Sequence, residues 1–205
     1  LAHSSGTTMF MVLQAAMAAL FTRLGAGEDI PLGFSIAGRT DEALDRLVGF
    51  FTNTLVLRTD TSGDPAFTEL LARVRESGLA AYAHQDVPFE HLVEVLNPHR
   101  TTAHHPLFQV IFNLQNAPDA DFSLPGLRAT AVPVGTGVSR VDLSVNLVEH
   151  HGGDGTPGGM AGLVEYATDL FDHDTVERLM ARWVRYLRAL ADHPGAPSAG
   201  PTCWR

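Results

Sequence analysis

Cysteine is nearly absent from this chain of 205 residues. The single one, Cys203, lies beside the C-terminus, so no internal disulfide can form. This pattern is compatible with a reducing compartment, and we expect a cytoplasmic protein. No apolar run is long enough to cross a bilayer. Residues 9–21 are rich in Met, Leu and Ala, but no basic segment precedes them, so we predict no signal peptide.

An excess of positive charge is also lacking. The formal net charge is -9 at pH 7 and the sequence pI is about 5.5. Such a surface argues against binding to nucleic acids or to anionic membranes. The length fits one domain or two small lobes, and a hydrophobic fraction of 45% is ordinary for a globular core. Because the chain begins at Leu1 and enters a helix almost at once, we expect a fragment of a longer protein.

Several catalytic and metal-binding motifs are missing. There is no HExxH or comparable ligand spacing, and the two His-His pairs lie in predicted loops, so we predict no metal site. No GxSxG turn is present to carry a nucleophilic serine. No glycine-rich loop follows a strand and opens a helix, which disfavours a nucleotide site.

The hydrophobic patterns predict helices and strands that do not alternate strictly. The expected fold class is therefore α/β of the α+β type, a mixed β-sheet packed with helices. The predicted helices cover residues 8–24, 41–47, 65–84, 88–96 and a final segment from 174. The predicted strands cover residues 30–37, 55–58, 108–115, 127–134, 140–150 and 160–168, the last two joined as a hairpin. The first helix is apolar nearly all round, which predicts that it is buried.

The stretch from His84 to Asn116 is the centre of this organisation. Pro88 is predicted at the first helical position, with Asp86 as the cap ahead of it. The following strand alternates, with Phe108, Val110, Phe112 and Leu114 on one face and Gln109, Ile111, Asn113 and Gln115 on the other. A polar strand face beside a helix can line a cleft, although the pattern alone favours an amphipathic strand at a sheet surface.

Three blocks carry a resemblance to a known family. They read VGFFTNTLVLR (48–58), HQDVPFEHLVE (84–94) and RTTAHHPLFQVIFNLQN (100–116). In this order and spacing they resemble the C-terminal half of a nonribosomal peptide synthetase condensation domain. The flanking segments agree with this up to about residue 192. We therefore predict a C-terminal lobe over residues 1–192 and a linker-like tail over residues 193–205.

The resemblance implies a chloramphenicol-acetyltransferase-like lobe. In that family two such lobes enclose a tunnel, in which an acceptor amine attacks a donor thioester carbonyl. Both substrates are carried on phosphopantetheine arms, so the chain itself is expected to bind no cofactor directly. The implied partners are the N-terminal condensation lobe, the donor and acceptor peptidyl carrier proteins and an adjacent adenylation domain.

The catalytic HHxxxDG motif of the family belongs to its N-terminal half. Here the segment from His150 to Gly155 reads HHxxDG, which is one residue too short. It also lies in the glycine-rich connection of the predicted hairpin, which is a poor support for a general base. We therefore expect no catalytic residue in this chain and no activity without the N-terminal lobe.

The resemblance places four candidate residues on the tunnel side, namely Asn53, Arg58, Gln109 and Asp142. Asn53 leads, because its amide can both donate to and accept from an amide or a thioester. For each of the four, the alternative is a satisfied structural polar group. The pair His104-His105 departs from the family, in which Arg-Asn usually precedes PLFQV.

Two further functions remain open. One is an epimerisation-type relative of the same superfamily. The other is a non-catalytic module for carrier docking or recruitment, which also predicts the absence of HHxxxDG. A lone lobe leaves its partner-facing side bare, so we also expect self-association in solution.

Overall fold

A computed structural model describes residues 1–99, 101, 104–115, 126–127, 132, 137–152 and 156–198. Its helices are α1 (Met9–Arg23), α2 (Phe67–Tyr82), α3 (Phe89–Leu96) and α4 (His173–Asp192). Its strands are β1 (Asp29–Ile36), β2 (Asn53–Asp60), β3 (Val110–Gln115), β4 (Leu143–His151) and β5 (Pro157–Tyr166). A short 3-10 helix, Glu42–Leu44, stands where a longer helix over 41–47 was expected. The predicted strand 127–134 falls mostly outside the described residues.

The five strands form one mixed sheet in the order β2-β1-β3-β4-β5. The central strands β1, β3 and β4 run parallel, whereas β2 and β5 are antiparallel at the two edges. Since paired residues share a face of the sheet, the register assigns each strand residue to one of the two faces. Leu32, Leu57, Phe112 and Val145 point to one face, where they are buried under helices. The predicted mixed sheet with packed helices is confirmed.

The core lies between this covered face and α1, α2 and α4. Every residue of α1 from Phe10 to Leu20 is buried, as its all-round apolar pattern predicts. The ring of Trp183 on α4 meets Phe112 edge-on, with centroids 5.8 Å apart. Each large apolar side chain buried in this way contributes about 1.5–3 kcal/mol. Because α1, α2 and α4 cover one face of the sheet, the opposite face is the one that can contact a ligand or a partner.

One polar contact is enclosed within this core. Gln14 of α1 donates from Nε2 to Oγ1 of Thr59 at 3.1 Å, and both side chains are almost completely buried. A buried polar group without a partner is destabilising, so each residue requires the other. The pair ties α1 to the edge strand β2.

The predicted caps of α2 and α3 are wrong. Asp64 has a left-handed backbone with φ 49°, and α2 instead begins after Ala66 without a side-chain cap. At α3, Pro88 occupies the capping position rather than the first helical one. Asp86 does not cap the helix, because the acceptor comes from β2, as described below. Local spacing alone did not reveal a cap supplied by another strand.

The described part of the segment after α4, residues 193–198, is hydrogen-bonded to the start of α2. The N–H groups of Phe67 and Thr68 donate to the carbonyls of Ala196 and Pro194. Ser198 is buried, and its carbonyl accepts the hydroxyl of Tyr186. The bonds of Phe67 and Thr68 satisfy N–H groups at the start of α2, which has no side-chain cap. Thus the predicted linker-like tail begins as a fixed segment.

Candidate functional site

The face of the sheet that lacks the three packed helices is the candidate site. The register places on it a set of polar and small residues from neighbouring strands, namely Thr54, Arg58, Gly33, Ser35, Asn113, Ser144, Asn146 and Glu165. Its central positions are half-buried rather than enclosed. The same register places Val56, Ile111, Val148 and Leu163 on this face. Such a mixed, partly accessible face can bind an extended ligand through side-chain donors and acceptors and through apolar contacts.

Three of the four predicted site residues lie in one row across this face. Arg58 is opposite Pro31, and Pro31 precedes Leu32, which pairs with Val110. Gln109 and Asp142 directly precede the paired residues Val110 and Leu143. With strands about 4.8 Å apart, Arg58 and Asp142 stand about 14 Å from each other. The row therefore runs along the amino ends of the parallel strands.

Arg58 forms an ion pair with Asp29 on the neighbouring strand β1. Its Nε donates to Oδ1 of Asp29 at 3.1 Å, and its Nη2 contacts the other carboxylate oxygen. This hydrogen bond and the charge of Asp29 raise the pKa of the guanidinium. Since the arginine side chain is 71% exposed, the pair adds little stability. The contact is between adjacent strands of the same sheet.

Gln109 and Asp142 are half-buried at the starts of β3 and β4. The side chain of Gln109 donates from Nε2 to the carbonyl of His105 at 3.0 Å, while the backbone carbonyl of Gln109 accepts the N–H of Leu143. The backbone carbonyl of Asp142 accepts the N–H of Ala167. A substrate role for either side chain stays a prediction.

Asn53 lies at the other end of β2, about 17 Å along the strand from Arg58. Its Nδ2 donates to the carbonyls of Gln85 and Val87, both at 2.8 Å. Its Oδ1 accepts the N–H groups of Thr54 at 2.9 Å and Phe89 at 3.2 Å. Both amide hydrogens are thus used within the chain, so Asn53 holds the α2–α3 turn and caps α3. Its predicted contact with substrate remains untested.

A polar network on the same face was not among the predicted site residues. Asn113 on β3 accepts Ser35 N–H on β1 at 2.9 Å and donates to Oδ1 of Asn146 on β4 at 2.9 Å. Asn146 in turn donates to the hydroxyl of Ser144 at 3.0 Å. The period-two pattern placed both asparagines on polar strand faces. Only the pairing of β3 with β4 brings them together.

An aromatic cluster covers part of this face at Gly33. The ring of Phe108 lies so close that a Cβ on Gly33 would be 2.4 Å from its Cε2. The tilted rings of His105 and Phe89 pack against it, with centroids 3.9 Å and 5.8 Å from that of Phe108. Because Gly33 shares its face with Ile111, Phe108 lies on the face opposite to Phe112. The predicted common face for Phe108 and Phe112 is therefore wrong: Phe108 precedes β3, which begins at Val110.

His105 is held in an apolar setting within this cluster. Burial lowers the pKa of its imidazole below the ordinary value of 6.5. Its Nδ1 is buried and has no hydrogen-bond partner among the described residues. The neutral ring is therefore the form that the folded chain favours.

The loop before β2 exposes large apolar side chains near Asn53, where β2 begins. Val48 and Phe50 are 105% and 93% exposed. The loop is nevertheless held in place, because Arg39 donates to the carbonyl of Leu47 at 2.9 Å and lies over the Phe51 ring at 4.3 Å. Rigidly held exposed apolar groups mark an interaction surface. Sequence reasoning missed it, because residues 48–52 continue smoothly into the strand pattern.

The described part of the HHxxDG segment, residues 150–152, lies at the end of β4 in the β4–β5 hairpin, as predicted. His150 and His151 end β4 and are exposed, while residues 153–155 fall outside the described part. Across the ranges that the structure describes, no three His, Cys, Asp or Glu side chains gather closely enough to hold a metal ion. None of the helices in the described ranges is long and apolar enough to cross a membrane.

Comparisons with known proteins agree on one family. A family model described as Condensation domain matches residues 1–203. The probable non-canonical nonribosomal peptide synthetase CymA of Salinispora arenicola is 61% identical over 98% of this chain and 3% of its own length. A dimodular nonribosomal peptide synthase of Bacillus subtilis is 55% identical over 95% of the chain and 8% of its own length. The chain thus spans a small part of these curated relatives.

Solved structures extend the agreement to three dimensions. The X-domain from teicoplanin biosynthesis superposes with a TM-score of 0.88 and 38% identity, covering 97% of this chain and 44% of that one. The condensation domain of the Monacolin K polyketide synthase MokA gives 0.81 at 20% identity, over 96% and 44%, which shows the fold alone. This is the chloramphenicol-acetyltransferase-like fold. On the family match, the sequence relatives and the shared fold together, the chain belongs to the condensation domain family.

Proposed function

We propose that this chain is the C-terminal lobe of a condensation domain that forms peptide bonds between carrier-bound thioesters in nonribosomal peptide biosynthesis. One observation carries the proposal: nearly the whole chain superposes on 44% of the X-domain structure. That is the share expected of one lobe in a two-lobed domain. The lobe occupies residues 1–192, and residues 193–205 are the linker-like tail, whose described part, 193–198, is hydrogen-bonded to the start of α2. Without the HHxxxDG motif of the N-terminal half, the chain is inactive alone.

Two surfaces support a missing partner lobe. The sheet face described above is free of the three packed helices, and the loop with Val48 and Phe50 projects apolar side chains at its edge. Burying such groups against a second lobe removes them from water, and each contributes about 1.5–3 kcal/mol. The lone chain self-associates through the same loop, since an exposed apolar surface promotes association.

In the proposed reaction the acceptor amine forms a C–N bond with the donor thioester carbonyl. The C–S bond breaks, the thiol of the donor arm departs, and the chain moves to the acceptor. The N-terminal lobe handles the amine proton, and this lobe contributes positioning. Arg58, Gln109 and Asp142 line the tunnel, and Asn53 acts by holding the α2–α3 turn in place.

The partners follow from this reaction. They are the N-terminal condensation lobe, donor and acceptor peptidyl carrier proteins, and an adjacent adenylation domain. The substrates arrive on the phosphopantetheine of the carriers, and no cofactor is bound directly. The protein acts in the cytoplasm, which the single cysteine supports.

An amide-formation assay tests the proposal. Loaded donor and acceptor carriers are mixed with this chain, with and without the N-terminal lobe of the corresponding CymA domain, and the product is measured by mass spectrometry. We expect product only when both lobes are present. Product from this chain alone, or no product from lobes shown to bind each other, contradicts the proposal.

A Phe50→Ser variant tests the lobe interface directly. Because Phe50 is 93% exposed, its loss leaves the stability of the chain unchanged but weakens binding to the N-terminal lobe. Leu79→Ser is the control, since Leu79 is 50% exposed on α2, which packs on the opposite face of the sheet. Equal weakening by both variants contradicts an interface at the loop.

A second candidate is a recruitment module. The observation that favours it is the likeness to the X-domain, which a second structure shows in complex with OxyB, at a TM-score of 0.85 and 37% identity. Under this alternative, assembled lobes form no amide but bind a separate protein. The assay above therefore distinguishes the two candidates.

A further inference from the structure

The polar network on the sheet face has donors that the fold does not use. Asn113 and Asn146 each spend one Nδ2 hydrogen, on Oδ1 of Asn146 and on Oγ of Ser144 respectively. Each carboxamide therefore keeps a second N–H that donates to no residue in the described ranges. Both side chains are half-buried, so solvent or a ligand reaches them on one side.

The network also lies where two strands separate. The parallel ladder between β1 and β3 has two registered pairs, Leu32 with Val110 and Gly33 with Ile111. Two residues further, Ser35 N–H is accepted by the side chain of Asn113 instead of a backbone carbonyl. The asparagine fills the gap in the ladder, which fixes its carboxamide plane. A donor fixed in this way loses little entropy when it binds a ligand.

The surroundings suit an extended ligand with amide groups. Thr54 and Ser35 continue the polar row towards β2, and Leu163 continues it beside Asn146. No charged residue stands in this row, so its members offer neutral hydrogen bonds and an apolar contact. Carboxamides both donate to and accept from amides, which makes them suitable partners for such groups.

We propose that Asn113 and Asn146 form a subsite that binds the amide groups of an extended substrate chain. Their unused N–H groups donate to its carbonyl oxygens. This inference rests on the proposed function for the source of the ligand, which is either the pantetheine arm or the peptide backbone that it carries. The two sources share the same amide chemistry. The subsite lies two rows from Gln109 and Asp142, towards the carboxyl ends of β3 and β4.

Side-chain amide resonances provide a direct test that requires no catalysis. The full chain is labelled with ¹⁵N and titrated with pantetheine, with an N-acetyl dialanine amide, and with a thiol-terminated polyether of similar length that has no amides. We expect the Nδ2 signals of Asn113 and Asn146 to shift with one or both amide ligands and not with the polyether. The ligand that binds more tightly identifies the source.

Variants of Asn146 locate the effect. Asn146→Asp keeps the oxygen that accepts from Asn113 but removes both donors, so it folds and weakens amide binding about tenfold, the loss expected for one hydrogen bond. Asn146→Leu gives a second measure. Gln85→Leu, in the α2–α3 turn, is the carboxamide control and leaves the affinity unchanged.

Three results overturn the inference: equal shifts with the polyether, amide binding without a change at the two asparagines, or unchanged affinity in both Asn146 variants. Failure of amide synthesis with intact ligand binding removes the proposed function and leaves the subsite. Intact amide synthesis without ligand binding at the two asparagines removes the subsite and leaves the proposed function.

Discussion

The carboxamide oxygen of Asn53, on the edge strand β2, accepts the N–H of Phe89 at 3.2 Å and so caps a helix that begins 36 residues later. The same side chain donates to the carbonyls of Gln85 and Val87. It therefore fixes the turn by which the chain leaves α2 on the covered face and reaches α3 on the other. The asparagine of the block VGFFTNTLVLR (48–58) therefore has a structural role in this chain.

Replacing Asn53 will test this role. Asn53→Ala removes a helix cap and the partners of two carbonyls, so we expect the free energy of unfolding to fall by about 2–3 kcal/mol. Asn53→Asp keeps the accepting oxygen but places a carboxylate oxygen against the carbonyls of Gln85 and Val87, so it should lose at least as much. Urea denaturation measures both. A loss below about 0.5 kcal/mol in the alanine variant would leave the capping role unsupported.

The contact of Gly33 with Phe108 gives a second prediction. Gly33→Ala places a methyl group where the phenylalanine ring lies, so we expect a loss of about 1–3 kcal/mol from overpacking. In the double variant with Phe108→Val the clash disappears, and the two effects are not additive. Gly195→Ala is the control, because nothing lies within 4 Å of its added methyl. Additive effects would show that the two residues are not coupled.

Acid should weaken the aromatic cluster through His105. Burial lowers its pKa, so the unfolded chain binds the proton more readily than the folded one. The resulting stability is complete above the unfolded value of 6.5 and is lost as the pH falls below it. His105→Phe keeps an aromatic ring in the cluster and removes the imidazole that takes up the proton, so it should abolish this loss of stability in acid.

Thermal unfolding from pH 7.5 to pH 5.5 measures this difference. The advantage of His105→Phe over the unmodified chain should grow as the pH falls. Parallel profiles for the unmodified chain and His105→Phe would contradict the prediction.

The buried pair of Gln14 and Thr59 gives a fourth prediction. Gln14→Leu or Thr59→Val alone leaves one buried polar group without its partner, at a cost of about 1–3 kcal/mol each. The double variant removes both polar groups, so its loss of unfolding free energy should be well below the sum of the two single losses. A double-mutant cycle in urea measures the coupling. A coupling near zero would mean that the 3.1 Å contact contributes nothing.

The sequence predicted those parts of the fold that depend on local periodicity. The all-round apolar pattern of α1, the stripe of α4 and the β4–β5 hairpin were all identified from residue spacing. Neighbours that are distant in the chain could not be identified in this way. The capping of α3 by Asn53, the ring of Phe108 on Gly33 and the junction of Asn113 with Asn146 each depend on strand order. The alternation of β3 even misplaced Phe108, because the strand starts two residues later.

The sequence predicted only part of the helix-free face of the sheet. Arg58, Gln109 and Asp142 do share a row, since each is next to or within a strand that pairs in register. Asn53 stands apart from them, and its amide is occupied. The exposed loop with Val48 and Phe50 was overlooked, because an apolar run before a strand normally indicates burial.

The parallel centre of the sheet has a consequence for how the chain folds. Ser35 and Asn113, which join β1 to β3, are 78 residues apart in sequence, whereas the β4–β5 and β1–β2 pairs are joined by far shorter loops. Closing so long a loop carries a large entropic cost before any contact compensates for it. The two halves of the sheet should therefore form early, and the seam between β1 and β3 should close last and limit the folding rate. Amide hydrogens along that seam would then gain protection late in a pulse-labelled refolding experiment.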